Sequence, residues 1–260
     1  MRIRGFAPAT PCWVELASTD PGRAQEFYAE MFGWEPAGDR FRLDGRAVAG
    51  LTRARADRPA GWLTYLAAPD LEAVLEQVAA AGGRCVSWPA DGHGGRSAIV
   101  ADRGGAAIGL WQAADFTGAE SASEPNTMAW PELVTDDPRT AADFYGRAFG
   151  WLLRAEDGTA GTRGDWLTAA HDAMAGLVPG ARPARWRAAF QVADCGEAAE
   201  AALRLGGRVV IAPTPMSLGS YAELADPFGA TFAVAAPSVA PISPSLSFDA
   251  LVGMELTFPG

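Results

Sequence analysis

From residue 12 to residue 18 apolar and polar side chains alternate with a period of two, which predicts a half-buried strand. Val14 and Leu16 fall on one face of it, Trp13 and Glu15 on the other. Asp20-Pro21 follows, an N-cap residue and a proline suited to the first helical position. Ala24, Phe27, Tyr28, Met31 and Phe32 then fall at i, i+3, i+4, i+7 and i+8, one face of a helix. Gly33 stands where a left-handed C-cap is wanted. Short strands are predicted at about 40–54 and 61–68. A second helix starts after Asp70, with Leu71, Val74, Leu75, Val78 and Ala79 inward, and stops at Gly82-Gly83. Two more strands follow it.

The pattern then restarts. WVELASTDPGRAQEFYAEMFGW (13–34) aligns without a gap to WPELVTDDPRTAADFYGRAFGW (130–151). WLTYLAAPDLEAVLEQVAAAGGRCVSWP (62–89) aligns to WRAAFQVADCGEAAEAALRLGGRVVIAP (186–213), and VADRGGAAIGLW (100–111) to LADPFGATFAVA (224–235). Repetition in fixed order means a duplicated module. The boundaries are 7–114 for the first module, 115–127 for a linker, 128–236 for the second module and 237–260 for a tail. The second module repeats the helix face through Ala141, Phe144, Tyr145, Ala148 and Phe149, and the cap at Gly150. Its second helix repeats the stripe through Cys195, Ala198, Ala199, Ala202 and Leu203. The recurring FY…FGW segment therefore reads as scaffold: helix face, cap and anchor.

Composition narrows the partners. The 260 residues are 49% hydrophobic and 20% charged, enough apolar content for real cores. A net charge of −10 argues against nucleic acid and anionic membrane surfaces, which need clustered cations. Three scattered cysteines, Cys12, Cys85 and Cys195, without CxxC spacing read as reduced thiols in a cytoplasmic setting. No apolar run reaches the ~20 residues of a membrane span, and no signal peptide is read.

Trp-x-Glu-Leu, Asp-Pro, Phe-Tyr and Phe-Gly-Trp in each half, the Gly-Gly helix stop and the closing DRGGAAIGLW/DPFGATFAVA together resemble the vicinal oxygen chelate superfamily. That superfamily includes glyoxalase I, extradiol dioxygenases and bleomycin-resistance proteins. The resemblance implies an α+β fold of two tandem βαβββ modules, forming a partly closed barrel around a ligand cleft. It extends to the tandem actinomycete-type branch that accompanies antibiotic pathways.

The resemblance also implies where metal ligands would stand. Those positions map to Trp13 and Trp130, to Leu63 and Arg187, and to Gly109 and Ala233. The remaining one falls in the hairpins at 46–52 and 173–179, which hold no His, Glu or Asp. None of these side chains can donate a lone pair to a divalent ion, so no metal and no other cofactor is expected. His93 and His171 fall in loops at non-matching positions.

Strand parity then gives the cleft lining. Trp13 with Glu15, and Trp130 with Glu132, share the ligand face. Leu63 and Tyr65 follow from one later strand, Arg187 and Gln191 from its repeat, and Trp111 from the closing strand. Aromatic walls with a few polar groups suit a flat, hydrophobic aromatic molecule. The tryptophans could instead plug the former metal cavity. Glu15 and Glu132 could pair structurally with Arg187, or act as acid and base with Arg187 stabilising an oxyanion. His93, in the Gly-rich loop DGHGGRS, is a weaker catalytic candidate. The expected function is metal-independent acid/base tailoring of an aromatic, polyketide-like compound in secondary metabolism. The alternative is non-catalytic sequestration of an antibiotic, as in bleomycin resistance. A monomer with paired modules and a homodimer are both compatible with the sequence.

Overall fold

The computed structural model describes residues 3, 5–56, 58–156, 163–180, 182–216 and 219–237. The tail assigned to 237–260 therefore lies, after Pro237, outside the described residues. The first module runs β1 (Pro11–Ser18), α1 (Pro21–Phe32), β2 (Glu35–Ala37), β3 (Arg40–Leu43) and β4 (Arg46–Arg53). It continues through β5 (Gly61–Ala67), α2 (Leu71–Ala80), β6 (Arg84–Gly92), β7 (Gly95–Ala101) and β8 (Ala107–Ala113). The second repeats this order: β9 (Met128–Thr135), α3 (Pro138–Phe149), β10 (Leu152–Ala155), β11 (Gly164–Leu167) and β12 (Ala173–Pro179). Then come β13 (Arg185–Gln191), α4 (Cys195–Arg204), β14 (Arg208–Met216), β15 (Gly219–Ala225) and β16 (Thr231–Pro237). The class is α+β, with one sheet per module. Each module holds the βαβββ order twice, because three strands rather than two follow its second helix.

Each sheet has eight strands, in the order β2-β3-β4-β1-β5-β8-β7-β6 and its repeat β10-β11-β12-β9-β13-β16-β15-β14. The outer strands do not pair, so hydrogen bonds do not close the barrel. In the middle, β1 pairs parallel with β4 and antiparallel with β5, setting Glu15 opposite both Gly50 and Leu63. The second sheet sets Glu132 opposite Gly176 and Arg187.

Local chemistry fixes the helices. The Asp20 and Asp137 carboxylates cap α1 and α3 by accepting from the Arg23 and Thr140 amides, with Pro21 and Pro138 next in line. Gly33 and Gly150 end them at φ 69° and 71°, a left-handed conformation that a Cβ would strain. Val14 and Leu16 are fully buried against the helix side. Leu203 departs from its predicted inward stripe: it is 55% exposed, at the rim of the α4 face near the helix end.

The two cores are shared between modules. One joins Phe27, Tyr28, Phe32 and Trp34 to Phe190, Phe232 and Val234 of the second module. The other joins Leu66, Leu71 and Leu110 to Phe144, Tyr145, Trp151 and Trp186. Tyr28 Oη donates to Asp226 Oδ2 at 3.2 Å and accepts from Trp62 Nε1 at 3.0 Å. Tyr145 repeats this with Asp102 (3.1 Å) and Trp186 (2.7 Å). Trp151 Nε1 reaches the Ala9 carbonyl, again across the repeat, and Trp34 Nε1 the carbonyl of Asn126 in the linker. The FY…FGW segment is thus scaffold of a particular kind, because each copy clasps the opposite module. Burying each of these rings contributes roughly 1.5–3 kcal/mol. With the outer faces of both sheets committed to cores, the inner faces hold the residues expected to line a cleft.

Candidate functional site

The inner face of the first module is packed. Trp13, Leu63, Tyr65, Ile99 and Trp111 are each no more than 8% exposed and form an apolar cluster of their own. Phe116, from the segment after β8, inserts between the tryptophans, edge-on to Trp13 at 4.9 Å and to Trp111 at 6.0 Å. It is held there by Trp111 Nε1 donating to its carbonyl (2.9 Å), by its amide bonding the Gly94 carbonyl, and by the Arg40 guanidinium 3.8 Å from its ring centroid. About 20 Å³ of cavity remains, room for one water. Glu15 is tied down beneath: Tyr65 Oη donates to it at 3.1 Å, and Arg58 Nε lies 3.5 Å from the same carboxylate oxygen. His93 sits at the lip, bonded through Nδ1 to Asp39, while Arg40 donates to the His93 carbonyl.

The second module differs at the positions that matter. Tyr65 and Trp111 are replaced by Ala189 and Ala235, and Leu63 and Ile99 by Arg187 and Glu223. Two rings are therefore lost from the inner face and two charges added, while Tyr221 supplies a ring where the first module has Ser97. Each missing ring would have occupied about 150–250 Å² of surface. Trp130 is half-buried where Trp13 is almost fully buried. Arg187 donates through Nε (2.9 Å) and Nη2 (2.6 Å) to Glu132 Oε2, and through Nη1 (2.6 Å) to Glu223 Oε2. Arg185 lies 3.6 Å from the other Glu223 oxygen. Burial alone would lower the Arg187 pKa, but Glu132, Tyr221 and Glu223 beside it more than offset this and raise it. Beyond Arg187 along β13, a recess of about 400 Å³ is bordered by Arg185, Arg208, Glu223 and Thr231.

The expected residues thus separate into two sets. Trp13, Glu15, Leu63, Tyr65 and Trp111 meet in the first module, with His93 at its lip. Trp130, Glu132 and Arg187 meet in the second. Gln191, half-buried, ends the same strand as Arg187, and its backbone is bonded to Asn126 and Thr127. Glu15 and Glu132 do not share a site, and Arg187 belongs to Glu132. Three nitrogens of Arg187 are engaged by carboxylates, so its charge serves Glu132 and Glu223 first.

Four further residues were not picked out from the sequence: Phe116, Asp165, Tyr221 and Glu223. The alternation in β15 was legible, since Ala222 and Leu224 are fully buried in the core while Tyr221 and Glu223 take the other parity. Asp165 stands opposite Gly176 in the ladder, on the Glu132 side. Burial raises its pKa, and the Arg154 pair at 2.8 Å only partly counters this. Phe116 carried no signal, because a lone aromatic in a stretch of linker composition has no period.

The residues at the implied metal positions do not fit a divalent ion. A Cβ at Gly109 would lie 2.2 Å from the Tyr65 ring, and one at Gly176 would lie 2.8 Å from Trp130 Nε1, so neither could carry a ligand side chain. The two carboxylates that do meet, Glu132 and Glu223, enclose a guanidinium, whose charge would repel a cation. Among the described residues no group of three or more His, Cys, Asp or Glu is placed to hold a metal. Nor is any helix there long and apolar enough to cross a membrane.

The glyoxalase-like domain profile matches residues 13–110 and again 132–235, the two sheets just described. The chain belongs to the glyoxalase-like domain family. Within this family, it is 35% identical over 253 residues to a Mycobacterium tuberculosis protein named as a glyoxylase, CFP32, covering 90% of this chain and 97% of the relative. It is 35% identical over 259 residues to the anthracycline biosynthesis protein DauV of Streptomyces sp. strain C5, covering 88% and 94%. Among solved structures it shares its fold with the Mn(II)-bound glyoxalase of Novosphingobium aromaticivorans, at TM-score 0.62 and 19% identity, covering 89% and 83%. It also shares it with homoprotocatechuate 2,3-dioxygenase of Arthrobacter globiformis, at TM-score 0.63 and 17% identity, covering 93% and 84%. This glyoxalase-like chain is therefore of the vicinal oxygen chelate fold.

Proposed function

We propose that this chain is a metal-independent, cytoplasmic, glyoxalase-like protein of secondary metabolism. It binds an aromatic, polyketide-like small molecule on the inner face of the second module and performs acid/base tailoring there. The observation that carries this reading is the exchange of Tyr65 and Trp111 for Ala189 and Ala235, which takes two large rings off the second inner face beside a half-buried Trp130. The named role of the relative DauV in anthracycline biosynthesis supports the ligand class. Glu132 is the acid/base group, oriented by its two bonds from Arg187. Asp165 is a second candidate, since burial moves its carboxyl toward the neutral, proton-donating form. Isomerisation, cyclisation, ring opening or dehydration would use such a pair.

The test is tryptophan quenching across a panel of aromatic polyketides, followed by product analysis for each ligand found. Trp130→Ala is expected to weaken binding at least tenfold, the cost of one stacking ring, while Trp13→Ala leaves it unchanged. Glu132→Gln should retain affinity and lose turnover. The bonding of Glu132 to Arg187 also suits the second reading, antibiotic sequestration without catalysis. Undiminished turnover would remove Glu132 from the chemistry, and no turnover in the wild type would favour the second reading.

A further inference from the structure

The chain has four tyrosines, and three of them donate to a carboxylate: Tyr28 to Asp226, Tyr145 to Asp102 and Tyr65 to Glu15. Tyr221 is the exception. It is 4% exposed, and among the described residues its hydroxyl has no hydrogen-bond partner. Buried hydroxyls are nearly always bonded, so the partner of this one comes from outside these residues. We propose that Tyr221 is a ligand-binding residue, donating its hydroxyl proton to a ring carbonyl or phenolate oxygen of the aromatic ligand. This rests on placing the ligand at the second inner face.

Three observations give the ligand class. First, Tyr221 packs with Ala189, Ala233, Trp130 and Met216, and stands opposite Ala235 in the ladder. It thus stands beside both positions that carry rings in the first module, with an indole nearby for stacking. Second, the Arg187 guanidinium lies 5.3 Å from the centroid of its ring. A cation on the ring draws electron density from the phenol and makes its O–H a better donor. Third, burial, and next the Glu132 charge, push the Tyr221 pKa well above its ordinary value, so the phenol keeps its proton. A phenol that keeps its proton can donate it to an acceptor. The ligand is a flat aromatic carrying a ring oxygen, a quinone or aryl ketone rather than a bare hydrocarbon ring. In the first module the counterpart of Tyr221 is Ser97, which cannot offer the same donor on a rigid ring.

Two soluble probes that differ only in the quinone oxygens test this: anthraquinone-2-sulfonate and anthracene-2-sulfonate. Affinities for the wild type, Tyr221→Phe and Trp130→Ala would be measured by calorimetry. The wild type is expected to prefer the quinone by about tenfold or more, and Tyr221→Phe to lose that preference while binding the hydrocarbon normally. A wild type that binds both probes equally, or a Tyr221→Phe protein that keeps the preference, overturns the donor role and leaves the cleft reading standing. Failure of both probes to bind, or binding indifferent to Trp130→Ala, overturns the cleft reading and this inference with it. An independent readout needs no ligand. Tyr221→Phe should leave the thermal midpoint unchanged, whereas Tyr28→Phe and Tyr145→Phe should lower it. A drop for Tyr221→Phe equal to theirs would show that the hydroxyl is already bonded, and would overturn the proposal.

Discussion

The two inner faces began as copies and now follow opposite physics. The first is closed by dispersion: Trp13, Tyr65, Trp111 and the inserted Phe116 leave about 20 Å³. The second gives up two of those rings and sets a ladder of charge, Arg185–Glu223–Arg187–Glu132, along the wall. The outer faces show no such divergence, since Tyr28–Asp226 and Tyr145–Asp102 make the same clasp twice. Duplication therefore kept the surfaces that hold the modules together. It changed the inner surfaces, where one copy is closed by aromatic rings and the other carries paired charges.

The largest expected effect comes from putting the first module's residue into the second. Arg187→Leu removes three hydrogen bonds to Glu132 and Glu223, leaving Glu223 with Arg185 at 3.6 Å, and should cost about 3–5 kcal/mol in denaturant unfolding. Adding Glu223→Ile, also the first module's choice, removes the more deeply buried of the two charges, so the double variant should be more stable than the single. A single variant within about 1 kcal/mol of the wild type would show that the charge ladder is solvated, and the contrast between the faces would fail. Next, Phe116→Ala should destabilise by about 2 kcal/mol, below the 3–5 of a fully buried phenylalanine because this one is half-buried. Ligand binding at the second face should be untouched; if it weakens, the two faces are coupled.

The smallest effect tests the likeness of the outer faces. Burial raises the pKa of both Asp102 and Asp226 against their bonds to backbone amides and tyrosines. Between the ordinary carboxyl value and the raised folded one, the native state holds more protons than the unfolded chain. Stability therefore falls as pH rises through that window and is level above it. Asp102→Asn and Asp226→Asn should each flatten the same part of the curve to the same degree. Unequal flattening would mean that the outer faces have diverged as well.

Much of this was legible in the sequence wherever period and repetition carried it. Alternation over 12–18 placed Trp13 and Glu15 inward, and the repeat placed Trp130 and Glu132 with them. The same parity would have reached Tyr221 and Glu223 if followed into β15. Parity assigns a face, however, and not a neighbour, so it left open whether one cleft or two would form, and the sheets make two lining sets. The partners of Glu15 show the limit. Tyr65 stands 50 residues away and Arg58 43, and only the β1–β5 register and the loop before β5 bring them together.

The sequence by itself determined the duplication and the helix caps and, through the family resemblance, the α+β class and the lack of ligating side chains at the implied metal positions. Those depend on residue type and spacing along one chain. The tertiary structure alone decided that each FY…FGW clasp reaches across to the other module, that Phe116 fills one inner face, and that Arg187 is shared by Glu132 and Glu223. These are contacts between distant segments, selected by which buried groups can be satisfied together, and no local pattern encodes that choice.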